Sequence, residues 1–104
     1  MKVIEVTQKN FNSEVFSSEK IVVADFNASW CGPCRMLAPI LEELAESHDE
    51  VKFVSINVDT EQELAMQFNI SSIPCIIVMK DGKELKRSVG FKPKAALEAL
   101  IKSV

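Results

Sequence analysis

Long apolar runs are missing from this chain. No stretch approaches the roughly 18 consecutive apolar residues of a membrane-spanning helix, and the opening Met1-Lys2-Val3-Ile4-Glu5-Val6-Thr7 lacks the unbroken apolar core of a secretory leader. An excess of one charge is missing too. Twelve Lys and Arg stand against fifteen Asp and Glu, for a net charge of -3, so neither nucleic acid nor an anionic membrane is an expected partner. Glycine and proline are few, and no linker, repeat or low-complexity tract divides the sequence. With 104 residues, 47% of them hydrophobic, the chain has the material for one core, which predicts a single domain over 1–104 and a monomer. The expected location is cytoplasmic, where thiols stay reduced and a close cysteine pair is catalytic or metal-binding rather than structural.

Hydrophobic patterning predicts an α/β unit. Val3 to Val6 reads as a short strand, followed by a helix over Phe11 to Phe16 in which Phe11 and Val15 share a face. Ile21 to Phe26 is a nearly continuous apolar run, the pattern of a strand buried on both faces. Met36, Leu37, Ile40, Leu41 and Leu44 recur at helical spacing to about Ser47, with a kink expected near Pro39. Val51 to Val58 reads as a strand, Glu61 to Phe68 as a short helix and Ile76 to Met79 as a further strand. Asp81-Gly82 is a hairpin signal leading into Glu84 to Val89. Pro93 suits a first helical turn, and Leu97, Leu100 and Ile101 supply the apolar face of a last helix. The order βαβαβαββα implies a mixed sheet with helices on both sides.

Chemistry concentrates in Trp30-Cys31-Gly32-Pro33-Cys34, between the buried strand and the long helix. A ring closed by two cysteines this close is a weak staple: loop entropy extrapolates to about 2 kcal/mol, against about 3 for a 15-residue loop. Such a pair suits opening and closing. Cys31 would sit at the helix N-terminus, where free N–H groups and the dipole favour thiolate, which makes it the nucleophile. Cys34, one turn later, would be the resolving thiol. Pro33 loses nothing by lacking an N–H in the first turn, and Gly32 lets another backbone approach. The competing reading is a zinc half-site completed by Cys75 and His48. His48 lies fourteen residues beyond Cys34 on the same helix, roughly 21 Å away, which argues against it, and no metal is expected. His48 is instead expected to be solvated at the helix end.

The chain resembles the thioredoxins over essentially its whole length. The resemblance rests on Asp25-Phe26, Trp30-Cys31-Gly32-Pro33-Cys34, Pro39, Ile73-Pro74, Asp81-Gly82 and Gly90, in that family's order and spacing. It implies a thioredoxin fold with a five-stranded mixed sheet flanked by four helices, protein-disulfide reductase activity, and recycling by a thioredoxin reductase. It also implies that Pro74 is cis and abuts the cysteine pair, and that Trp30, Gly32, Pro33, Ile73, Pro74, Val89, Gly90 and Phe91 form the surface met by disulfide-containing protein substrates.

Asp25 lies among Val22, Val23, Ala24 and Phe26, where it is either a partly wet capping residue or a carboxyl of raised pKa that takes the Cys34 proton. The resemblance supports the second. Many family members place a lysine beside this acid; here the matching residue is Ser55, and Lys52 points to the opposite face by alternation. Asn27 stands where many have a second tryptophan. Cys75 replaces a common threonine after Pro74 and is either a small core hydrophobe or a third, oxidisable thiol that tunes the pair. The expected function is disulfide reduction through Cys31, Cys34 and Asp25, with no bound cofactor because the two sulfurs carry the exchange. The alternatives are a dedicated redox partner of one enzyme and a non-catalytic binding module on the same fold.

Overall fold

Strand β2 (Ile21–Asn27) is apolar almost throughout because it runs through the middle of a sheet covered on both faces. In the computed structural model, which describes residues 2–104, it pairs with β3 (Val51–Asn57) in parallel and with β4 (Cys75–Lys80) antiparallel. The edges are β1 (Ile4–Glu5), parallel to β3, and β5 (Lys83–Val89), antiparallel to β4, giving the order β1-β3-β2-β4-β5. Helices α1 (Gly32–Ser47), α2 (Gln62–Gln67) and α3 (Lys94–Lys102) and a π-helical segment Asn12–Phe16 complete the expected order.

Strand alternation divides the apolar residues into two layers. Val22, Ala24, Phe26, Val54, Ile56, Cys75, Ile77 and Met79 pack on one side against Phe11, Val15 and Leu64. Val23, Val51, Phe53, Ile76 and Val78 pack on the other against Leu37, Leu41 and Leu44 of α1 and Leu97 and Ile101 of α3. The hairpin turn places Asp81 at φ 53° and Gly82 at φ 77°, the two left-handed residues of a type I′ turn. Any Cβ on Gly82 would strike the ring of Phe16.

Four local expectations are corrected. The first helix is a five-residue π-helical segment, although Phe11 and Val15 are both buried as its spacing requires. Pro93 is the extended residue capping α3, with ψ 163°, rather than part of its first turn. Met36 is 61% exposed because α1 rests on Leu37, Leu41 and Leu44. His48 is largely covered rather than solvated: Nδ1 meets the Leu44 carbonyl at 3.1 Å, and Nε2 lies 3.7 Å from Glu98 of α3, which packs across this end of α1.

Candidate active site

The β2–α1 junction puts the cysteine pair at the start of a sixteen-residue helix. Cys31 is the extended N-cap residue, and its Sγ accepts the Cys34 backbone N–H at 3.2 Å. A side-chain acceptor at this position satisfies a donor the helix leaves open, and a thiolate there also meets the positive end of the dipole. Gly32 and Pro33 form the first turn, where the missing proline N–H removes no helical bond. Cys31 and Cys34 are joined as a disulfide, with Cα atoms 5.2 Å apart. The two are almost equally covered, at 5% and 4% exposure, so the capping bond rather than accessibility distinguishes them. Ala28 packs with both, and Val58 and Ile73 close over them.

Ile73 arrives from the loop before β4, and its bond to Pro74 is cis, as expected. Gly90 N–H donates to the Pro74 carbonyl at 2.8 Å, which fastens Val89, Gly90 and Phe91 beside the segment packed on the cysteines. Gly90 adopts φ 92° there, a conformation open to glycine. Pro74 is buried, whereas Trp30, Val89 and Phe91 are exposed large apolar side chains. Trp30 is held by a hydrogen bond from its Nε1 to Asp59 Oδ2 at 2.8 Å. Asp59 is a partner that the sequence did not disclose, because it lies 29 residues away beyond β3. Its backbone N–H is fixed in turn by the Asn57 side chain at 2.8 Å.

Asp25 lies on the α1 side of the sheet, directly opposite Ser55 of β3. A cleft of about 300 Å³ is lined by Asp25 and Asn27 of β2, Ser55 of β3, and Cys34, Ala38 and Leu41 of α1, among others. Asp25 is 4% exposed, and burial pushes its carboxyl from the ordinary 3.8 up to about 7, against the opposing effect of a hydrogen bond from Asn27. Asn27 Nδ2 lies 3.2 Å from Asp25 Oδ2 and 2.8 Å from Ser55 Oγ, while Asp25 Oδ1 has no partner. The expected opposite placement of Lys52 is observed: its Nζ binds the Glu14 carbonyl and carboxylate at 3.0 and 2.9 Å on the far face.

Cys75 is 1% exposed and packs with Phe26, Ile77 and Met79. Burial pushes its thiol upward, with Arg87 pulling in the opposite direction. This is the small-hydrophobe environment. Among the described residues, no three His, Cys, Asp or Glu side chains converge as a metal site, and no helix is long and apolar enough to cross a membrane.

Comparison with known proteins gives a consistent picture. The family model described as Thioredoxin matches residues 2–103. A thioredoxin of Bacillus subtilis (strain 168) is 49% identical over 102 residues, covering 97% of this chain and 96% of its own. A bifunctional thioredoxin reductase/thioredoxin of Mycobacterium leprae is 48% identical over 95 residues, covering 90% of this chain and 21% of that protein. Among solved structures, a mutant thioredoxin from Halobacterium salinarum NRC-1 superposes with a TM-score of 0.90 at 34% identity, covering 98% of this chain and 89% of that one. With the cysteine pair capping its helix, the cis proline beside it and this degree of similarity over nearly every residue, the chain belongs to the thioredoxin family and carries a thiol–disulfide oxidoreductase centre at Cys31–Cys34.

Proposed function

We propose that the chain is a general protein-disulfide reductase in which Cys31 attacks and Cys34 resolves. The observation that carries the assignment of roles is the N–H of Cys34 directed at Cys31 Sγ at the start of α1. In the reduced state this donor and the helix dipole stabilise the Cys31 thiolate. The thiolate forms a bond to one substrate sulfur, and the substrate's other sulfur leaves with the electron pair of the broken S–S bond. Cys34 then loses its proton to Asp25, directly or through a water, and attacks Cys31 Sγ. This closes the Cys31–Cys34 disulfide and releases the substrate as a dithiol. Two electrons have passed from protein to substrate.

A neutral-range acid is suited to this transfer: with its carboxyl at about 7, Asp25 is readily present in either protonation state near neutral pH. Trp30, Gly32, Pro33, Ile73, Pro74, Val89, Gly90 and Phe91 form the docking surface, an apolar rim in which the backbone of Ile73, next to the cis proline, pairs with an extended substrate segment. Exposure of Trp30, Val89 and Phe91 supports this reading. A thioredoxin reductase returns the electrons, and the relative that joins both functions in one chain supports that pairing. We place the protein in the cytoplasm as a monomer of one domain that needs no bound cofactor.

Reduction of insulin disulfides tests the reading. Wild type is expected to turn over with a reductase present, Cys31→Ser to lose activity, and Cys34→Ser to accumulate a mixed disulfide. Equal rates for wild type and Cys31→Ser would refute it.

A further inference from the structure

The amide of Asn27 has a definite orientation. The Asp25 backbone carbonyl, at 3.0 Å, can only accept, so the side chain must present its NH₂ group there, and the same nitrogen then faces Asp25 Oδ2 at 3.2 Å. Ser55 Oγ, at 2.8 Å, holds the same nitrogen from the neighbouring strand. Spacing of two along β2 puts Asn27 on the face of Asp25, and parallel register puts Ser55 beside it.

We propose that Asn27, anchored by Ser55, is a positioning residue that reserves Asp25 Oδ1 for the proton leaving Cys34. The proposal rests on the redox reading above and specifies its proton step. An oxygen accepting an N–H is the carbonyl oxygen of a neutral acid, so the hydrogen of protonated Asp25 is carried by the other one. That other oxygen is Oδ1, buried and without a partner, on a residue that lines the same cleft as Cys34. In the transfer the Cys34 S–H bond breaks, its electron pair stays on sulfur, and an O–H bond forms at Oδ1. Asn27 thus does with a neutral dipole what a cation would otherwise do, since Lys52 is committed to Glu14 on the other face. The remaining charged groups of the cleft are Glu5 of β1 and Arg35 and Glu42 of α1.

The test follows the Asp25 carboxyl by carbon NMR as pH is varied in the oxidised protein. Because the Asn27 bond favours the ionised form, Asn27→Leu is expected to move the midpoint upward by about one pH unit. Ser55→Ala should move it in the same direction by less, and Ser55→Thr, which restores the hydroxyl, should return it. Ser55→Ala also keeps the test available if Asn27→Leu fails to fold. The pH profile of Cys34 resolution, read from mixed-disulfide lifetime, should shift with the titration. A midpoint unmoved in both variants would overturn the proposal, as would a moved titration with an unmoved resolution profile. A wild-type protein that fails to reduce insulin would instead remove the redox reading, whatever the titration of Asp25.

Discussion

Asp25, the proton acceptor of the proposed mechanism, is a side chain whose burial opposes stability at neutral pH. Its carboxyl rises from 3.8 in the unfolded chain to about 7 when folded, so between those values the native state holds a proton that the unfolded state has lost. The stability linked to this group is therefore greatest below about pH 4, falls as pH rises through this window, and reaches its lowest contribution above about pH 7. The difference amounts to about 4 kcal/mol. Asp25→Asn should be more stable than wild type at about pH 8 by up to about 4 kcal/mol and nearly equal at about pH 4. Urea denaturation at both values measures this, and a stability gain independent of pH would contradict the linkage. Cys75, which follows Pro74, is a free thiol on a residue only 1% exposed. Native protein should alkylate at Cys75 only after denaturation, whereas the reduced active pair should react beforehand. Mass spectrometry after a short iodoacetamide pulse distinguishes the two, and rapid labelling of Cys75 in folded protein would overturn its assignment as core.

At the scale of elements, the turn between β4 and β5 has little freedom to vary. Gly82 occupies positive φ under the ring of Phe16, so Gly82→Ala adds both backbone strain and a collision. A loss of about 1–3 kcal/mol is expected, with the unfolding midpoint as the measurement; a loss at the low end would mean that Phe16 moves aside and only backbone strain remains, and an unchanged midpoint would contradict both. Asp81-Gly82 was legible in sequence because two positive-φ residues demand it, and β2 and α1 were legible from their apolar periodicity. The π-helical form of Asn12–Phe16 was not, since buried Phe11 and Val15 satisfy an ordinary helical spacing as well. Nor was the coverage of His48, which depends on α3 returning across the end of α1. Around the site, the cysteines and Asp25 were visible as local pattern. The Trp30–Asp59 bond and the Asn27–Ser55 bond join residues 29 and 28 positions apart, which only the folded sheet brings together.

For the whole molecule, the sheet's two apolar layers supply the cohesion, and the redox ring adds modestly to it. A four-residue ring contributes about 2 kcal/mol by loop entropy, so reduction of Cys31–Cys34 should lower global stability by that order and leave the fold standing. Comparative denaturation of the two redox forms checks this, and unfolding on reduction would contradict it. The outermost strands raise a different matter, since each presents hydrogen-bonding groups that no neighbour within the sheet satisfies. β1 is only two residues long, whereas β5 runs for seven and is exposed over most of them. Arg87 is paired with Glu84 on the same strand at 2.7 Å, which leaves Lys83 and Lys86 as the strand's unbalanced charges, and these oppose pairing with a second copy. The two lysines thus place like charge along the one long open edge, so that two copies meeting there would repel rather than extend the sheet.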